Sequence, residues 1–231
     1  MACRASPFSD FTVPPDPGIR LPVDPPPVRV VPEPPAFPAV EAPDAGPLVE
    51  VGGGRIIALA VYHQACLPAA VPVVWLRREV ADRLSGAAAA LPPRFGLAVF
   101  DGWRPLELQR FLHADAVARL GEAGGFVSRP SADPRRPPPH LTGGAVDLTL
   151  TFDGEALALG TCFDAFVSRS AADAFEDEPG VVRTLRRLLH QVMTAAGFVP
   201  LASEWWHFEY GTPRWAALRE VAPLYGAVEP G

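Results

Sequence analysis

Fourteen of the chain's 29 prolines fall within the first 50 residues, in runs such as "PVDPPPVRVVPEPPAFP". Proline fixes φ and brings no amide donor, so this stretch can be neither a helix nor a central strand. The chain is therefore read as a Pro-rich amino-terminal arm, 1–47, followed by a folded domain, 48–231. Val28, Val30, Val31 and Phe37 give the arm apolar grip, and it is expected to lie partly docked over that domain. An apolar fraction of 48% is enough for a real core.

Beyond the arm the hydrophobic periodicity changes several times. "RIIALAVY" (55–62) and "GLAVFDG" (96–102) read as strands, because they are short, β-branched or apolar, and bounded by turns. "WLRREVADRLSGAAAAL" (75–91) spaces Leu76, Val80, Leu84 and Leu91 as a helix does. Pro105 opens a second helix, whose stripe is Leu108, Phe111, Leu112, Ala116 and Leu120. Residues 121–139 read as a long loop. In "GAVDLTLTF" the alternation predicts a strand with Val146, Leu148, Leu150 and Phe152 facing the core and Asp147 on the other face. A third helix, 181–196, is stopped by Gly197, and "WWHFEY" forms the last strand. The pattern predicts a compact α+β domain, not a doubly wound parallel sheet.

A formal net charge of −6 and no dense basic stretch argue against a nucleic-acid partner. No apolar run reaches the length of a membrane span, and the start carries no signal-peptide core. Cys3, Cys66 and Cys162 are few, odd in number and widely spaced, which predicts reduced thiols and a cytoplasmic protein. Nothing in the sequence addresses oligomeric state.

Three polar clusters stand out: "DGWR" (101–104), His140 with Asp147, and Glu204 with His207 inside "SEWWHFEY". A carboxylate and an imidazole among aromatic rings are costly unless paired or bound to a metal. Two histidines and one aspartate gathered at one point make a divalent metal site with open positions. Gly143 and Gly144 permit the bend that would bring His140 and Asp147 together, and a turn at Glu204 would let it share a cavity with His207. The expected centre is one zinc ion on His140, Asp147 and His207. Glu204 would sit beside the metal-bound water as general base, and Arg104 would face the developing oxyanion. Asp101 reads as a turn residue that orients Arg104. His63, His113 and His190 lie away from any carboxylate motif and read as structural or solvated.

At "DGWRP" (101–105), "PPHLTGGAVD" (138–147) and "EWWH" (204–207) the sequence resembles the zinc-dependent D-alanyl-D-alanine dipeptidases, over roughly residues 48 to 225. The resemblance implies a compact mixed fold with a largely antiparallel central sheet, shared with the D,D-carboxypeptidases and the Hedgehog signalling domain. It implies the same zinc ligands, base and arginine, and a small dipeptide as substrate. "GTCFDAF" (160–166) looks like the family's Gly-Thr-x-Phe-Asp segment, so Asp164 would hold the dipeptide's free ammonium. The chain departs from the family at Pro138, where a serine is usual, and in its arm. Two rival readings are a peptidoglycan D,D- or L,D-carboxypeptidase and a zinc-binding module without catalysis; retention of both Glu204 and Arg104 argues against the second.

Overall fold

The computed structural model describes residues 8–44, 46–121 and 127–230. Its central sheet runs in the order β2 (Ile56–Ala58), β4 (Phe95–Asp101), β5 (Ala145–Phe152), β8 (Glu204–Glu209) and β7 (Val199–Leu201). The short β6 (Glu155–Ala156) folds back on β5, and only the β2–β4 pairing is parallel. A separate antiparallel pair joins β1 (Leu48–Glu50) to β3 (Trp75–Arg77). The expected mixed α+β architecture with a largely antiparallel sheet is what forms.

One face of the sheet is apolar. Val146, Leu148 and Leu150 of β5 and Leu97 and Val99 of β4 enter a single core. Two helices close over it, α2 (Arg78–Ala90) through Val80 and Leu84, and α4 (Val181–Ala195) through Leu185, Leu188, Leu189 and Met193. Full burial of a Leu or Val contributes about 1.5–3 kcal/mol, so this face dominates the stability of the domain. The opposite face of β5 carries Asp147, Thr149 and Thr151, and these too are buried.

Three local expectations fail for tertiary reasons. "RIIALAVY" is a strand only to Ala58; Ala60 then takes a left-handed conformation (φ 44°) and starts the short helix α1 (Val61–Gln64). This turn buries Val61 and Tyr62 instead of continuing the sheet edge. Trp75–Arg77 is not the first turn of a helix, because pairing with Leu48–Glu50 takes its backbone bonds, and α2 starts at Arg78. In α3 (Leu106–Leu120) the buried face is Leu108, Gln109, Leu112 and Ala116, while Phe111 and Leu120 are exposed. Phe152 is only half-buried and stacks edge-on against Phe95.

The described part of the arm is laid along the domain. Phe8, Ile19, Val28 and Val40 are buried, whereas Val30, Val31 and Phe37 stay exposed. Backbone bonds from Val13 to Ala156 and from Val40 to Arg135, and from Val28 to the Glu176 carboxylate, fasten it.

Candidate metal centre and its cavity

Strand register assembles the centre. Asp101 of β4 pairs with Asp147 of β5, which pairs with His207 of β8, so three polar side chains form one row across adjacent strands. His140 reaches the row from a 3-10 turn, Pro139–Thr142, that ends at Gly143 with φ 70°. A Cβ at Gly143 would lie 2.5 Å from the Leu48 side chain, and one at Gly144 would lie 2.5 Å from the Tyr210 carbonyl oxygen. Only glycine lets the chain turn from His140 into β5 in that space.

Glu204 and His207 are three apart, which a regular strand would send to opposite faces. The β7–β8 ladder breaks here: Pro200 faces Phe208 while Leu201 already faces Glu204. The extra residues bulge out of register, and both polar side chains line one cavity. Trp205 and Trp206 are packed in the core, the first bonded to the Thr161 hydroxyl and the second edge-on to Phe163.

His140 Nε2 lies 3.3 Å from His207 Nδ1 and 3.3 Å from Asp147 Oδ2, and His207 Nδ1 lies 2.9 Å from Asp147 Oδ1. Tetrahedral zinc with bonds of about 2.0–2.2 Å separates its donor atoms by roughly 3.3–3.6 Å; both His140 separations match that spacing, and the His207–Asp147 contact is shorter, a direct hydrogen bond. The remaining ring nitrogens are already engaged. His140 Nδ1 donates to the Gly102 carbonyl at 2.7 Å, and His207 Nε2 faces the Glu209 carboxylate at 3.1 Å. Each imidazole is thereby left with one nitrogen turned towards Asp147, the arrangement that fixes the tautomer of a metal-ligating histidine. Among the described residues, His140, Asp147 and His207 are the group able to hold an ion.

The electrostatics follow from burial and pairing. Burial alone would push the Asp147 carboxyl up, but the charge and hydrogen bonds of the two imidazoles outweigh it and hold it far below the carboxylate range. Burial would lower His207, yet hydrogen bonds to Asp147 and Glu209 raise it to about 10 in the metal-free protein. Glu204 is pushed up to about 8, chiefly by burial, and its Oε1 has no hydrogen-bond partner among the described residues. An unpaired buried carboxyl oxygen beside an ion-binding cluster fits a site built for a metal and its water.

Arg104 is buried and bonds Asp101 through Nε at 2.8 Å and Gln109 through Nη1 at 2.9 Å. Its Nη2 makes only long contacts, 3.4 Å to the Tyr62 hydroxyl and 3.3 Å to Asp147. Asp101 thus orients Arg104, as read from the sequence. Asp164, in a left-handed conformation (φ 53°), accepts a 2.8 Å bond from the Tyr62 hydroxyl. Burial and then the charge of Asp147 push its carboxyl up to about 7. Glu204, Arg104, Asp164 and the three-residue cluster all line one cavity of about 770 Å³, with Pro138 in its wall.

Sequence reasoning missed Tyr62, Gln109 and Arg214, and gave Glu209 no role. Glu209 accepts from His207, from Thr212 and, at 3.4 Å, from Arg214. Its signal was available, since residues 207 and 209 of one strand share a face. His63 and His113 stay outside the cavity, His63 exposed and His113 against the Val127 carbonyl. The expectation of reduced cysteines fails at Cys162, which is disulfide-bonded; Cys66 is free and exposed.

Residues 69–217 match the family described as D-ala-D-ala dipeptidase. A D-alanyl-D-alanine dipeptidase of Synechocystis is 33% identical over 61% of this chain and 71% of its own length. That of Escherichia coli is 45% identical over 30% of this chain and 36% of its own, and that of Streptomyces coelicolor 33% identical over 49% and 61%. Among solved structures, the LdcB LD-carboxypeptidase covers 82% of this chain and 76% of its own at 19% identity, with a TM-score of 0.34, too slight a likeness to carry argument.

Proposed function

This chain belongs to the D-alanyl-D-alanine dipeptidase family, a family of zinc-dependent peptidases, and from that premise we propose that it hydrolyses D-alanyl-D-alanine or a related D,D-dipeptide. Zinc would be held by His140, Asp147 and His207. Zinc bound there supplies a Lewis acid for the peptide carbonyl and makes water acidic enough to ionise near neutral pH.

The chain's own groups do the rest. Glu204 holds and passes the proton at its unpaired Oε1. Arg104 is fixed by Asp101 and Gln109 on one side, which leaves Nη2 to turn from its long contacts towards a carbonyl oxygen gaining charge. Asp164 and the Tyr62 hydroxyl receive the free ammonium, whose charge offsets the burial that raises the carboxyl.

The observation that carries this reading is the pair of outer hydrogen bonds, from His140 Nδ1 to the Gly102 carbonyl and from His207 Nε2 to the Glu209 carboxylate, which leave one nitrogen of each ring facing Asp147. The test is a panel of D-Ala-D-Ala, L-Ala-L-Ala and N-acetyl-D-Ala-D-Ala, with and without chelator. Turnover of the free D,D-dipeptide alone, lost on chelation and restored by zinc, is expected. Equal cleavage of the N-blocked peptide would instead favour a carboxypeptidase. Glu204→Ala should keep stoichiometric zinc and lose turnover.

A further inference from the structure

Two aromatic rings among the described residues are exposed, Phe37 of the arm and Phe111 of α3, and both line the catalytic cavity. Exposed apolar side chains scattered singly are ordinary; what singles these two out is that both stand in the wall of the cavity that holds the metal-binding cluster. The cavity's volume, about 770 Å³, lies in the range of roughly 300–1,000 Å³ that encloses a drug-sized ligand. Two methyl side chains need far less.

Phe37 is placed there by design of the arm. Four residues before it, Glu33 makes two bonds to Arg214, at 2.6 and 2.8 Å; three residues after it, the Val40 amide bonds the Arg135 carbonyl at 2.9 Å. The intervening chain is thus pinned on both sides across the cavity mouth. The arm lies outside the stretch that matches the family, 69–217.

Charge sets the direction in which a substrate lies. Asp164 and Tyr62 stand together in the wall, and the rings of Phe8 and Phe163 pack on Tyr62. Arg129 and Arg136, both exposed, line the same cavity and bring positive charge to which a carboxylate can pair. A dipeptide held by its amine at Asp164 has its carboxylate and its second side chain in the rest of the cavity, whose wall includes Arg129, Arg136, Phe37 and Phe111.

Building on the dipeptidase reading, we propose that Phe37 and Phe111 form an apolar subsite for the second residue, and that the preferred substrate carries a large apolar or aromatic side chain there instead of a methyl. Burying such a side chain against two rings favours it by roughly tenfold or more over alanine.

The experiment measures dipeptide binding to the full-length, zinc-loaded Glu204→Ala protein by calorimetry, so that affinity is read without turnover. D-Ala-D-Phe should bind at least tenfold tighter than D-Ala-D-Ala, and Phe37→Ala or Phe111→Ala should each shrink that ratio. Equal affinities, no detectable binding of D-Ala-D-Phe, or a ratio indifferent to both variants would overturn the subsite. Turnover by the unmodified protein reports on the dipeptidase reading separately.

Discussion

Replacing Glu204 by glutamine should stabilise the metal-free protein while ending its catalysis. The side chain is buried, 6% exposed, and its Oε1 has no partner among the described residues. Burial raises its carboxyl from 4.5 to about 8. A carboxyl whose folded value is raised costs stability: nothing below pH 4.5, an increasing amount as pH rises towards 8, and the full amount above. At 1.36 kcal/mol per unit, the penalty at pH 8 is about 4 kcal/mol. Glutamine removes the charge but adds an amide donor, and a buried donor left unpaired costs about 1–3 kcal/mol. The net gain is then about 1–3 kcal/mol at pH 8, or roughly 2–12 °C in Tm for a chain of this size. Thermal melts of chelator-treated wild type and Glu204→Gln at pH 5 and pH 8 would show it: the gain should appear at pH 8, fall away at pH 5, and shrink when zinc is restored. A variant no more stable at pH 8, or equally favoured at both pH values, would refute the account of a carboxylate held against its solvation.

Other perturbations read different parts of the same centre. Because His207 stands at about 10 in the metal-free state, zinc must displace a proton; titration at pH 7–9 should release about one, with apparent affinity rising roughly tenfold per pH unit. Glu209→Ala should weaken zinc by about 10–100-fold in chelator competition, through loss of the bond that orients His207. Arg186, buried on α4, bonds the carbonyls of Leu159, Arg169 and Ala171 and so frames the segment that presents Asp164. Arg186→Met should destabilise the protein by about 2–4 kcal/mol and, in steady-state kinetics, raise KM more than it lowers kcat.

The metal cluster was legible before any coordinates because its chemistry is local: His140 and Asp147 flank two glycines, and Glu204 and His207 share one short strand. The helical periodicity of α4 was equally plain. What escaped was everything decided by contacts between distant segments. Tyr62 meets Asp164 across 102 residues, and it does so only because Ala60 turns the chain out of a strand that its composition favours. Trp75–Arg77 leaves a helical pattern because a partner strand claims its amides. Phe111 falls on the predicted stripe but faces the cavity, since α3 buries Leu108, Leu112 and Ala116 and needs no more. The Glu33–Arg214 pair, 181 positions apart, left no local trace at all.

The row Asp101, Asp147, His207 lies along a backbone ladder, not on loops. Deleting a single residue between Gly144 and Asp147 would keep every polar side chain of the centre and nearly every strand contact available, yet send the aspartate through the sheet into the oily layer beneath α4. Ion capture here is therefore a matter of counting, odd or even, and loop grafts or permutations are admissible only where they preserve that parity.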